Sequence, residues 1–462
     1  MTAVRIIDHG IAGGVKADVE SPGSLHRSFA YDVAPRRFRL TQAVNNGDRA
    51  ARPNFFLSSP ASFMTAIPIT TPCYAVRLGF ANGFNFTQTI SKASVYPSDT
   101  YSGSLVALSA RNVPVVPTDG AGISAGSPIY FDRAGDTALN LSGTNRTLTL
   151  PATVANRENS AVPFAISWSD WAPCTSLPRA DRRKWPLLFV YITIASNGFV
   201  STSSSYQNLN TTLHRGKLMA GGLRAETNDI DFADNPMDTN WGPFGNPSFG
   251  PWFVLQYLTT IPSIQVVITG DSLAAAPQSD GISNFIWRAA ADLSSESLPI
   301  EVLNLAVGGV TWKVYNPLLS LNAAAIQPSI VIPQVISRNG MGGAAHMQQL
   351  LAMANLNAQA CSALYGSKVI WSIPGCEPAW DGNKAFSRGF WDMRHRLLDA
   401  SAISGVPVID APAVIGDVAG GAPWNYIPSP AVSDDNTHPN AVGQEMVVPL
   451  AKAALKTVIG LN

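Results

Sequence analysis

Ile264-Gln265-Val266-Val267-Ile268-Thr269-Gly270-Asp271-Ser272-Leu273 joins a β-branched run to a turn that delivers a serine. Side chains of that kind favour a buried strand, and a strand closed by Gly-Asp-Ser presents a hydroxyl at the carboxyl edge of a sheet, where open α/β folds keep their ligands. Ser272 is therefore a candidate nucleophile. Gly, Asp and Ser also build ordinary turns, so the stretch locates a site before it defines a chemistry.

Downstream the pattern alternates. Apolar helical spacing in 281–294 precedes the strand-like runs Ile300–Leu303 and Ile330–Ile336; then come helical Ala344–Tyr365, strand-like Lys368–Ile373, helical Lys384–Ser404, strand-like Val406–Ile409 and a final helix over 441–459. Such alternation predicts a parallel sheet sandwiched between helices. Upstream lie short β-rich runs separated by Gly, Pro, Asn and Ser: Phe38–Leu40, Cys73–Phe80, Ser91–Tyr96, Thr147–Leu150, Phe164–Trp168 and Leu187–Ala195. These predict an antiparallel sandwich or jelly roll. Glu226–Gly250 is rich in Asn, Asp, Pro and Gly and reads as an irregular connection. The expected organisation is a β-rich accessory domain over 1–262, with a linker at about 226–262, followed by an α/β domain over 263–462.

Near the end of the chain, Asp434-Asp435-Asn436-Thr437-His438-Pro439-Asn440 places a carboxylate three residues before a histidine. A serine hydroxyl is a poor nucleophile until a base accepts its proton, and the base works best when a carboxylate sets its tautomer and stabilises the imidazolium. Asp435 and His438 could supply both functions from one short loop, although the same residues would also make an acidic turn and helix cap.

With Ser272 upstream and Asp435-x-x-His438 downstream, the last two hundred or so residues resemble the SGNH, or GDSL, hydrolase family. The first block is Gly270-Asp271-Ser272-Leu273, and the second resembles Asn304-Leu305-Ala306-Val307-Gly308-Gly309. The third, Gly-x-Asn-Asp in the family, is Ser337-Arg338-Asn339-Gly340 here, without the flanking Gly and Asp. The fourth is Asp435-Asn436-Thr437-His438. The resemblance implies a three-layer, flavodoxin-like α/β fold and a carboxylic ester hydrolase with Ser272 as nucleophile, His438 as base and Asp435 as its orienting carboxylate. It further implies an oxyanion hole from the Ser272 and Gly309 backbone N–H groups and the Asn339 amide. Donors fixed in advance stabilise charge that develops on the carbonyl oxygen, and each is worth about 3 kcal/mol. Trp312, three residues past Gly309, and the cationic Arg338 are candidates for substrate contact.

Family members often deacetylate glycans, so the leading expected substrate is an O-acetylated carbohydrate. The competing expectations are a lipase- or thioesterase-like small-ester hydrolase and a non-catalytic glycan-binding protein on a phage particle. Thirty-one basic residues balance 31 acidic ones, leaving no electrostatic footprint for nucleic acid. Only 13% of residues are charged, alongside 37 Gly and 34 Pro, which suits a turn-rich protein acting on neutral sugars or esters. No membrane-spanning run is apparent, and the start Met1-Thr2-Ala3-Val4-Arg5 is not followed by the apolar core of a signal peptide, so a conventional secretory route is unsupported; the compartment is left open, with extracellular action as a particle component one reading. Cys73, Cys174, Cys361 and Cys376 have no metal-ligand spacing and read as buried thiols; no metal or cofactor is expected. The cluster Trp168-Ser169-Asp170-Trp171 could pack a core or stack on sugar rings. Oligomeric state is not legible.

Overall fold

A computed structural model of the chain describes residues 37–44, 55–56, 61–81, 88–102, 129–130, 139–142, 145–150, 167–169, 171–176, 185–194, 199–202, 224–225, 248–249, 252–275, 285–306, 319, 322–336, 352, 356, 358–376, 378, 384–420 and 422–461. The strand-like run around Ile264 belongs to β1 (Trp252–Thr269), whose second half pairs in parallel with β2 (Ile300–Asn304) on one side and β3 (Ile330–Pro333) on the other. β3 pairs with β4 (Lys368–Val369, continuing as Trp371–Ile373), which pairs with β5 (Val408–Asp410), again in parallel. The order β2-β1-β3-β4-β5 is flavodoxin-like, so the connections leave β1 in opposite directions across the sheet and open a crevice at its carboxyl end.

Both faces of this sheet are covered. Residues 263–269 are buried without a break, which is why the run shows no polar alternation. On one face Ile264, Val266, Ile268, Ile300, Val302, Ile330 and Ile332 form a single core with α1 (Phe285–Leu293) and residues of the C-terminal helix. Elsewhere Val335, Ile336, Trp371 and Ile373 pack against Phe390, Met393 and Leu397 of α2 (Lys384–Ser404). The C-terminal helix, α3 (Ala441–Ile459), begins where the Asn440 side chain accepts the N–H groups of Val442 and Gly443, satisfying donors that the helix itself leaves unpaired. The three-layer α/β architecture expected for the C-terminal part is therefore present.

The N-terminal elements are strands, but they are not set apart as expected. The first half of β1 pairs antiparallel with Arg37–Val44 and with Cys73–Ala81, so one eight-stranded sheet runs from the β-rich part into the parallel part. A second sheet of seven strands, wholly antiparallel, is built around Ala61–Pro68, Gln88–Ser102 and Trp185–Ile194. The linker reading of 226–262 fails from Trp252 onward, and the expected boundary at 262/263 falls inside a strand. Pro262 invites that misreading. It lies between the Thr259↔Cys73 and Ile264↔Ile300 partners and inside the register break of the antiparallel pairing with Arg37–Val44, between Leu258↔Arg39 and Ser263↔Arg37, a bulge where proline's missing N–H is tolerated.

A buried carboxylate ties the two halves of the sheet. Glu301 Oε2 accepts the Tyr257 hydroxyl at 2.7 Å and the Thr70 N–H at 3.1 Å, while Oε1 accepts the Val302 N–H at 3.0 Å. Glu301 and Tyr257 are fully buried, and burial together with the neighbouring Glu301 charge pushes the tyrosine hydroxyl well above its ordinary pKa. Trp168 and Trp171 lie against the Arg77 guanidinium, 4.5 and 4.7 Å from their ring centroids, so these indoles serve a cation–π stack. All four cysteines are buried free thiols. Among the described residues no helix is long and apolar enough to cross a membrane.

Candidate active site

β1 delivers Ser272 to the carboxyl edge of the sheet. Gly270 makes the turn: a Cβ there would lie 2.5 Å from both Ala274 Cβ and Gln334 Oε1, so only glycine lets the chain pass. Asp271 is buried, and its Oδ1 accepts the Leu273 N–H at 2.9 Å, closing a local turn around the serine. The Asp271 N–H donates to Gln334 Oε1 at 3.0 Å, and Gln334 Nε2 donates to the Ile336 carbonyl at 2.8 Å. This amide thus braces the serine turn against the chain leaving β3. Ser272 opens the helical turn Ser272–Ala275 and is buried, with His438 as the described partner of its hydroxyl.

That partner is His438, whose Nε2 lies 2.9 Å from Ser272 Oγ. Its Nδ1 lies 2.7 Å from Asp435 Oδ2. Asp435 divides its two oxygens: Oδ1 accepts the N–H groups of Thr437 and His438, both at 2.8 Å, and the Ser433 hydroxyl at 3.3 Å, which leaves Oδ2 to the imidazole. Asn436 adopts a left-handed φ of 56°, tolerated by asparagine, and reverses the chain so that both following N–H groups can reach the carboxylate. Below the loop, Asn440 Nδ2 donates to the Ala431 carbonyl and to Asp434 Oδ1, so the residue that caps α3 also closes the loop.

Partial burial by itself would raise the Asp435 pKa. The hydrogen bonds from the His438 side chain and from the His438 and Thr437 N–H groups outweigh it and hold the carboxyl below its ordinary value. An acceptor-only carboxylate beside Nδ1 requires the proton of a neutral imidazole to sit there, which frees Nε2 to accept the proton of Ser272.

Of the residues singled out in the sequence, Ser272, His438 and Asp435 converge in one hydrogen-bonded line. Gly309, Trp312, Arg338 and Asn339 lie outside the described residues. Two polar residues at the site escaped sequence reading. Gln334 supports the serine turn, and Tyr426 donates its hydroxyl to the Thr437 carbonyl at 2.7 Å. Among the described residues no cluster of His, Cys, Asp and Glu could hold a metal ion.

No family model and no curated protein matches the chain. Among solved structures it is similar to TesA, with 21% identity and a TM-score of 0.33 over 42% of this chain and 99% of that one. It is also similar to the acetyl xylan esterase AlAXEase, at 16% identity and a TM-score of 0.32 over 42% and 100% of the two chains. A family two carbohydrate esterase from Cellvibrio japonicus aligns over 86% of this chain and 98% of its own, with 10% identity and a TM-score of 0.30.

Proposed function

We propose that this protein is a serine esterase of the SGNH type. The observation that carries the reading is the line Ser272 Oγ, His438 Nε2, His438 Nδ1, Asp435 Oδ2, with separations of 2.9 and 2.7 Å across the imidazole. As Ser272 Oγ bonds to the ester carbonyl carbon, His438 Nε2 takes its proton, and Asp435 stabilises the resulting imidazolium. His438 then protonates the leaving alkoxide as the ester C–O bond breaks. Water attacks the acyl-enzyme, again giving its proton to His438, and the acid departs as Ser272 is restored. Charge on the carbonyl oxygen is assigned to the Ser272 and Gly309 N–H groups and the Asn339 amide, as the sequence blocks imply. Arg338 and Trp312 are assigned to substrate contact.

The proposed substrate is an O-acetylated carbohydrate, a neutral ester in keeping with a chain that is only 13% charged. Incubation with acetylated glycans and a chain-length series of simple acyl esters tests this. Acetate release that falls as the acyl chain lengthens is expected. Rates that rise with chain length would replace it with a lipase- or thioesterase-like activity, and glycan binding without acid release from any ester would favour a non-catalytic binding protein.

The lowered Asp435 pKa carries a second expectation. A carboxyl depressed in the folded state stays ionised at every pH above its lowered value, and its stabilising contribution, full above the ordinary carboxylate range, is lost as the pH falls from that range through the lowered value. Asp435 therefore adds no proton to the acidic limb of log kcat/KM at any pH above its lowered value, and that limb should rise with a slope no greater than about one. A slope of two in that range would mean that Asp435 takes up a proton there after all.

A further inference from the structure

The peptide unit joining Thr437 to His438 is gripped at both ends. Its N–H donates to Asp435 Oδ1 at 2.8 Å, and its carbonyl accepts the Tyr426 hydroxyl at 2.7 Å. Tyr426 ends the strand Ala422–Tyr426 and is 6% exposed. Its oxygen lies 3.2 Å from the Cys376 N–H and 3.3 Å from the Cys376 carbonyl. A phenol has one proton, and the 2.7 Å contact claims it for Thr437, leaving the oxygen to accept from Cys376. The result is a relay of donors from Cys376 N–H through the Tyr426 hydroxyl and the Thr437–His438 peptide to Asp435, in a setting where successive hydrogen bonds polarise one another.

This relay links two sides of the site. Cys376 follows β4 at the carboxyl edge of the sheet, whereas Asp435 and His438 ride on the loop before α3. Gly375 keeps the junction close: a Cβ there would lie 2.7 Å from the Tyr426 hydroxyl and 3.0 Å from Leu273 Cδ2, beside the serine. The local hydrogen bonds around Asp435 shape its loop from within, while Tyr426 ties that loop to the edge that carries Ser272. A peptide plane fixed at both ends sets the direction in which the His438 side chain leaves the backbone, and so the aim of Nε2 at Ser272 Oγ.

We propose that Tyr426 is a positioning residue for His438, acting through the Thr437–His438 peptide; the proposal rests on the esterase reading of the same site. Its hydroxyl touches none of the reacting atoms. Removing it would leave the imidazole present but less well aimed, a defect felt in the chemical step more than in substrate binding.

Tyr426→Phe keeps the ring and deletes the hydroxyl. The expected result is a fall in kcat of about tenfold with KM changed by less than about threefold. Gly375→Ala, which displaces the same hydroxyl from the other side, should produce a similar loss. A second readout does not need turnover: proton NMR of the His438 Nδ1–H, whose exchange with water should quicken in Tyr426→Phe. Unchanged kcat and unchanged proton exchange in folded Tyr426→Phe would overturn the proposal. If the wild type releases acid from no ester and takes up no serine-directed phosphonate, the esterase reading fails, while the proton-exchange comparison still decides whether Tyr426 positions the histidine.

Discussion

Ser272→Ala should fold as the wild type does and lose ester turnover by about 10⁴–10⁶-fold, equivalent to about 5–8 kcal/mol of transition-state stabilisation. The hydroxyl's described hydrogen bond is to His438 Nε2, so its removal breaks no structural network. Alanine fits at the start of a helical turn that already contains Ala274 and Ala275. The surrounding supports, Asp271 to Leu273 N–H and Gln334 to Asp271 N–H, do not involve the side chain being changed. Circular dichroism and thermal melting would establish the fold, and acid release would read the activity. Undiminished turnover in a folded Ser272→Ala protein would mean that another nucleophile does the work.

Asp435→Asn is the second large effect, with kcat falling by about 10⁴-fold at neutral pH. The reason lies in the division of labour between the two carboxylate oxygens. An asparagine can still offer one oxygen to the Thr437 and His438 N–H groups, which keeps the loop in place, but its amide nitrogen then faces His438 Nδ1. A donor in that position favours the tautomer with its proton on Nε2, which cannot accept the proton of Ser272. The loss should therefore appear in kcat with a preserved fold and a modest change in KM. A variant that loses activity only by unfolding would show Asp435 to be a loop brace instead.

The parts of this molecule that were legible in its sequence are those whose signal is local. Ile264–Thr269, Ile300–Leu303 and the 441–459 helix are buried along their length or capped by an adjacent Asn440, so the residues announce the element. Asp435 and His438 are three residues apart, and one reversed turn at Asn436 makes their contact. The first half of β1 was obscured because its strand character depends on partners far away, Arg37–Val44 and Cys73–Ala81, and because Pro262 interrupts it. Ala61–Pro68, which lies between Trp185–Ile194 and the two-residue strand Arg224–Ala225 in the seven-stranded sheet, ends in a proline and gave no comparable signal. Gln334 acts on Asp271 across 63 residues, and Tyr426 reaches Cys376 across 50. No spacing in a single sequence reveals such pairs; only the packing of the sheet edge brings them together. The likeness of the last two hundred residues to SGNH hydrolases pointed to the residues proposed to react, but it left those that hold them to be found in three dimensions.

In the proposed esterase, aim is what these supports supply. The serine turn is braced by Gln334, the histidine loop by Asp435, Asn440 and Tyr426, and both braces meet at the carboxyl edge of β1, β3 and β4. A misplacement of about 1 Å between reacting groups can cost on the order of a hundredfold in rate, so the polar residues behind the site matter to the chemistry as well as to the fold.

The most direct measurement is covalent labelling. Wild-type protein is treated with a serine-directed alkyl phosphonate, digested, and its modified peptide sequenced by mass spectrometry. Phosphonylation needs an activated serine hydroxyl, so one phosphonyl group per chain, carried on Ser272 and abolished in folded Ser272→Ala and His438→Ala proteins, is the predicted result. Labelling at a different serine, or no labelling while acid is released from an ester, would contradict the assignment of Ser272 as the nucleophile.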